Sequence, residues 1–188
     1  RQIRQVSLEL LGCARRLAIS LGCNVTALTC PTYEDDLCGR PSDDGVRTLI
    51  AHGADHVIVM DDCPPENDAA IASFAADIIR TKKPEILLIG ATVFGRALAP
   101  RIAAKLKTGL TADCTALEID TETGMLIQTR PAFGGNLMAS ILCPNRRPQM
   151  ATVRPKIFPV PALPPHSGWS RRIPLPSRFH SRLPPFYD

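Results

Sequence analysis

Glu85-Ile-Leu-Leu-Ile-Gly90 is the stretch on which the fold turns. Four apolar residues run without a polar interruption, so the strand they form is buried on both faces rather than one. Upstream, Ile71, Phe74, Ala75, Ile78 and Ile79 fall at the i, i+3, i+4, i+7 and i+8 spacing of one helix face, and Pro84 ends that run. Downstream, a loop through Gly90 leads to a helix expected over residues 95–107, with Leu98, Ile102 and Leu106 facing inward. Pro100 is expected in or near its first turn, where a missing N–H costs little.

The same alternation extends toward the N-terminus. Leu10, Ala14, Leu17, Ala18 and Leu21 follow Ser7, a predicted N-cap, and Gly22 supplies a left-handed stop. Residues 24–30 read as a strand, 31–42 as a surface loop, and a short helix from Asp43 or Asp44 to His52 turns Val46, Leu49 and Ile50 inward. A buried strand over 56–60 follows. From Ala112 the rhythm changes, because 113–120, 125–130, 137–143 and 150–153 read as strands without intervening helices, with a hairpin signal at Glu122-Thr-Gly124. The expected class is α/β: a doubly wound, mainly parallel sheet with helices on both faces and late antiparallel strands.

Composition narrows the function. The chain has 188 residues, 45% of them apolar, which suits one soluble domain with a sizeable core. Its net charge of +4 is accounted for by Lys156, Arg171, Arg172, Arg178 and Arg182 against Asp188. The globular part is neutral, which argues against nucleic acid as a partner. Seven cysteines show neither paired nor zinc-type spacing and read as reduced core thiols in a reducing compartment. No apolar run reaches a membrane span, and the basic start gives way at once to an amphipathic pattern rather than a targeting peptide. The expected location is the cytoplasm, or the mitochondrial matrix if the source is eukaryotic.

Two places could carry chemistry. Gly90, Thr92, Gly95 and Arg96 lie where a parallel strand delivers the chain to a helix N-terminus, a setting that favours anions. The same residues suit a tight turn that packs helix on sheet, and they match neither a dinucleotide glycine motif nor a Walker loop. Arg130, in Gln128-Thr-Arg-Pro131 beside Phe133-Gly-Gly-Asn136, presents a guanidinium to a flavin ring, a phosphate or a carboxylate; the alternative is an internal salt bridge, with Asp113 as partner. His52, His56, His166 and His180 lack metal-ligand spacing, no Gly-x-Ser-x-Gly is present, and the Asp pairs at 35, 43 and 61 sit in turns. Stand-alone catalysis is not expected.

Four blocks carry a resemblance. They are Gly-Ala-Thr-Val-Phe-Gly-Arg at 90–96, Thr-Gly-Leu-Thr-Ala-Asp-Cys at 108–114, Gln-Thr-Arg-Pro-Ala-Phe-Gly-Gly-Asn at 128–136 and Arg-Pro-Gln-Met-Ala-Thr-Val-Arg-Pro at 147–155. With Val-Ser-Leu-Glu-Leu-Leu-Gly at 6–12, they resemble the N-terminal domain of the electron transfer flavoprotein alpha subunit over residues 6–158. The resemblance implies a heterodimer with a beta subunit that uses FAD to accept electrons from dehydrogenases. It assigns Arg130 to the flavin held by the partner subunit, and Thr108, Gly109, Thr111 and Asp113 to shaping the chain. Arg146, Arg147 and Arg154 are read as shape or subunit contacts.

The chain also departs from the pattern. The family's C-terminal FAD-binding domain has no counterpart after Phe158, where a Pro- and Arg-rich tail over 159–188 reads as extended or disordered linker. The family also places a strand ahead of Val6, and its lack would leave a sheet edge open. Two rival readings therefore stand beside the subunit domain: a stand-alone adenine-nucleotide-binding α/β module, and an inactive truncated fragment.

Overall fold

The computed structural model describes residues 3–30, 43–60, 67–132 and 137–161. Helix α1 (Gln5–Leu21) leads to β1 (Thr26–Thr29), α2 (Asp43–Ala51), β2 (His56–Val59), α3 (Asp68–Lys82), β3 (Ile86–Gly90) and α4 (Val93–Leu106). The strands β4 (Leu110–Cys114), β5 (Ala116–Ile119), β6 (Leu126–Ala132), β7 (Leu137–Ile141) and β8 (Gln149–Val153) complete the order. The loop expected over 31–42 and most of the tail lie outside the described residues.

All pairing in the α/β half is parallel. β1 bonds to β2, while β8 sits between β3 and β4 and pairs with both. β5, β6 and β7 form a separate antiparallel sheet, with Arg130 opposite Ala139. The antiparallel character expected of the whole late region therefore belongs to three strands only. β8 returns to the parallel sheet, and its five buried residues mark it as a central strand.

Helices cover both faces. α3 and α4 bury Ile71, Ile78, Leu98 and Ile102 against Ile58 and Met150 on one side. On the other side, Leu11 and Ala18 of α1 join Leu49 and Ile50 of α2 over Val57 and Val59, and Cys13 and Leu17 reach Ala151, Leu117 and Leu126. α1 thus cements the antiparallel sheet to the parallel one.

Three local expectations are corrected. α1 begins at Gln5 behind Arg4, which makes no side-chain cap, so Ser7 lies inside the helix. α4 begins at Val93 because Thr92 Oγ1 accepts the Gly95 N–H at 3.0 Å, which starts the helix early and leaves Pro100 in its interior. The strand expected over 113–120 is broken, since Asp113 takes a left-handed φ of 59° and the register shifts there between β4 and β8.

After β8 the chain is laid across α1. Lys156 donates its backbone N–H to Glu9 Oε2 at 2.8 Å, and Glu9 is 2% exposed. The Arg16 guanidinium lies 5.4 Å from the Phe158 ring centroid. Gly12 allows this path, because a Cβ there would stand 2.7 Å from Pro161 Cδ.

Candidate functional site

The site grows from the carboxyl end of β3. At its last residue, a Cβ on Gly90 would stand 2.9 Å from Val6 Cγ2 of α1, so only glycine lets the helix approach so closely. Ala91 donates its N–H to the Val153 carbonyl at 2.7 Å, and Thr92 donates back to Gly90 at 2.8 Å, which fixes the turn. Gly95 lies directly against the Gly90 carbonyl, with no room for a Cβ. The four residues singled out here, Gly90, Thr92, Gly95 and Arg96, thus meet in one compact strand-to-helix turn.

Arg96 lies along that turn with its side chain exposed. Its Nε donates to the Ala91 carbonyl at 3.1 Å, and a terminal nitrogen lies 3.1 Å from Asp113 Oδ1. The second contact is ionic rather than a well-aligned hydrogen bond, since that oxygen has no partner of good geometry. Asp113 is held in turn by its own backbone N–H, which donates to Thr152 Oγ1 at 2.9 Å. Sequence reasoning offered Asp113 to Arg130, but the bulge at Asp113 aims its carboxylate at Arg96.

Arg130 reaches the same end of the molecule from the other sheet. Arg154 donates its N–H to the Cys114 carbonyl and Thr115 donates to Thr129, which draws β4, β5 and β6 together. The half-buried Arg130 donates Nε to the Pro131 carbonyl at 3.3 Å. Burial pushes the Cys114 thiol up to about 11, and the positive charge of Arg130 works against that rise. Beside them the Gln128 amide, 1% exposed, and the Thr115 hydroxyl are buried without partners. Nothing in the spacing of the sequence marks Gln128 as buried, because a polar residue in a strand is ordinarily read as facing water.

The rim is apolar. Val93 is 91% exposed on the first turn of α4, and Phe94, Leu137, Met138 and Ile141 are exposed as well. Among the described residues no group of three or more His, Cys, Asp or Glu could hold a metal ion.

A parallel α/β sheet wound on both faces, with glycine turns at its carboxyl edge and an antiparallel sheet set against it, defines a domain of the α/β class. The chain belongs to the electron transfer flavoprotein domain family, which matches residues 1–171. It is 50% identical over 159 residues to "Protein FixB" of Clostridium saccharobutylicum, covering 84% of this chain and 45% of that protein. It is 48% identical over 159 residues to the "Electron transfer flavoprotein subunit alpha" of Clostridium acetobutylicum, with 84% and 45% covered. The subunit of the same name from Megasphaera elsdenii is 48% identical over 162 residues, with 85% and 46% covered. The chain therefore spans somewhat less than half the length of these curated relatives.

Proposed function

We propose that this chain is an electron transfer flavoprotein alpha-subunit domain, which pairs with a beta subunit and supports FAD-mediated transfer of electrons from dehydrogenases. The observation that carries this reading is the 48% identity to two named alpha subunits over most of the chain. Residues 1–158 form the working unit in this proposal, with 159–188 as a tail.

FAD, when bound in the complex, supplies the electron-carrying chemistry. This chain's contribution is electrostatic and positional. Arg130, on a strand braced by β5 and β7, offers a fixed guanidinium to acceptor atoms of a flavin held by the partner. Arg96 is already engaged by Ala91 and Asp113, and the amides of Ala91, Thr92, Gly95 and Arg96 are bonded within the fold, so the Gly90–Arg96 turn serves to hold α4 against the sheet and the weaker cofactor contact falls to its surface. These donors are too few to grip a dinucleotide, so the principal FAD contacts lie beyond them in the assembly. No helix among the described residues is long and apolar enough to cross a membrane. A cytoplasmic complex suits that feature and the bacterial relatives.

The test is co-expression with a beta subunit from one of these clostridial sources, co-purification and an absorbance spectrum. A stable yellow heterodimer is expected. Failure to form any complex overturns the subunit reading. Saturable binding of ATP, AMP or FAD by the chain alone supports the adenine-nucleotide module in its place.

A further inference from the structure

Gln128 is a polar side chain placed where the fold gives it nothing to bond. It lies in the middle of β6, flanked in register by Leu117 of β5 and Ile141 of β7, and is 1% exposed. Neither its amide nitrogen nor its amide oxygen has a partner among the described residues. A buried amide without hydrogen bonds destabilises a fold, and nearly all such groups in folded proteins find partners. In the isolated chain an apolar residue of similar volume would suit this position better.

The sheet register points to one partner. Side chains alternate between the faces of a strand, so Gln128 shares its face with Leu126 and Arg130 on β6 and, across the ladder, with Leu117 and Ile141. Leu117 and Leu126 belong to the apolar cluster that α1 completes with Cys13 and Leu17. Of these neighbours only Arg130 carries a polar group, about 7 Å along the strand and within reach of an amide. The guanidinium acts on this face, since burial raises the Cys114 thiol, the Arg130 charge opposes that rise, and Cys114 lies in the same cluster. The Thr115 hydroxyl is unpartnered too, but Thr115 sits in the bend before β5 and outside the ladder register.

Arg130 is loosely held. Its Nε donates to the Pro131 carbonyl at 3.3 Å, longer than the roughly 2.7–3.2 Å of a well-formed N–H···O bond, and no ion pair engages it among the described residues. A guanidinium carries N–H donors along more than one edge, so one edge can bond an amide oxygen while another faces a ligand. Hydrogen bonds of functional groups are often unmade in the unbound protein and close only in the complex. We infer that Gln128 is a positioning residue for Arg130: when a beta subunit docks, the Gln128 amide oxygen accepts an N–H of the guanidinium and holds its plane toward the partner's flavin, a role that rests on the subunit reading above. β5 and β7 fix Gln128 from both sides, so this acceptor is in place before docking.

Redox titration of the flavin in the complex with a clostridial beta subunit tests this role, with Gln128→Met and Arg130→Ala made singly and together. Gln128→Met lowers the flavin potential in the same direction as Arg130→Ala and by a smaller amount, because the cation stays but loses its alignment. In the Arg130→Ala background it adds nothing, since Gln128 acts only through that residue. Gln128→Asn keeps an amide but withdraws it by one methylene, and it lowers the potential as well. In urea, the isolated 188-residue chain carrying Gln128→Met unfolds at a midpoint equal to or above the parent's, because the substitution removes an unpaired amide. A potential unmoved by both Gln128 variants overturns the positioning role, and so does a shift of equal size with and without Arg130. A markedly lower unfolding midpoint for Gln128→Met overturns the premise, because the amide is then already paired in the free chain. A parent that forms no flavin-bearing complex overturns the subunit reading and this role with it, whereas a normal parent flavin with the wrong Gln128 response overturns this role alone.

Discussion

Gly95 lies against the carbonyl of Gly90 with no room for a side chain between them. This contact sets the depth at which α4 enters the sheet, and every other feature of the turn, from the Thr92 cap to the Arg96 brace, is built on it. The clash partner is backbone at the end of β3, bonded in register to β8, so it has little freedom to shift. Gly95→Ala should destabilise the fold by about 3 kcal/mol. Urea unfolding followed by circular dichroism checks this, and a midpoint equal to the parent's would show that the turn relaxes freely.

Asp55 links α1, the loop before β1 and the start of β2. Arg15 donates to its Oδ1 at 2.7 Å and the Val25 N–H to its Oδ2 at 2.7 Å, while Arg15 also holds the Gly53 carbonyl. Burial acts to raise the Asp55 carboxyl, but the donated hydrogen bonds and the charge of Arg15 outweigh it and lower the pKa below its ordinary value. A carboxyl with a lowered folded-state pKa stabilises the fold above its unfolded-state value of roughly 3.9, and that stability is lost as pH falls through the folded-state value. Asp55→Asn should cost about 1–2 kcal/mol at pH 7 and flatten the acid limb of a stability-against-pH curve below about pH 4. An acid limb identical to the parent's would remove Asp55 from the account.

Periodicity carried the reading of α3 and β3, because an amphipathic face and an uninterrupted apolar strand leave few alternatives. It failed where one residue's backbone geometry decides the outcome. Asp113 adopts a left-handed φ inside β4, which shifts the register with β8 just before the chain passes to β5 in another sheet, and no pattern of apolar residues records that. Apolar spacing alone puts Pro100 near the start of α4, because it does not reveal how short the loop after Gly90 is; the Thr92 cap moves the start to Val93. The candidate residues at 90–96 were legible as a unit since they are contiguous. The pairing of Arg96 with Asp113, and the burial of Gln128 and Thr152, arise from sheets that meet only in three dimensions.

Cys114 is fully buried, and burial pushes its thiol up to about 11, so almost none of it is thiolate near neutral pH. Cys13 is buried and its thiol is raised by the same cause, whereas Cys23 is exposed. Treatment of the folded chain with iodoacetamide at pH 8 should alkylate Cys23 and spare Cys13 and Cys114, with all three modified once the chain is unfolded in urea. Peptide mass mapping reads the pattern. Rapid alkylation of Cys114 in the folded chain would mean that the seam between β4 and β6 opens far more often than its packing implies.

Arg130 offers the sharpest test of the proposed role, because removing its charge should act on a flavin rather than on the fold. It is half-buried, its Nε bond goes to the neighbouring Pro131 carbonyl, and its side chain fills no closed core, so Arg130→Ala should cost about 1 kcal/mol of stability or less. In the complex with a beta subunit, a guanidinium near a flavin favours the form with more negative charge. Loss of that charge should lower the flavin's reduction potential by tens of millivolts, on the order of 1 kcal/mol for a partly screened cation a few ångströms away. Arg130→Lys keeps the charge without the planar fork, so it should restore most of the potential and less of any change in flavin occupancy. Redox titration of the parent and both variants separates these effects. An unchanged spectrum, occupancy and potential in Arg130→Ala would assign the residue to bracing β6 and leave the flavin to the partner subunit alone.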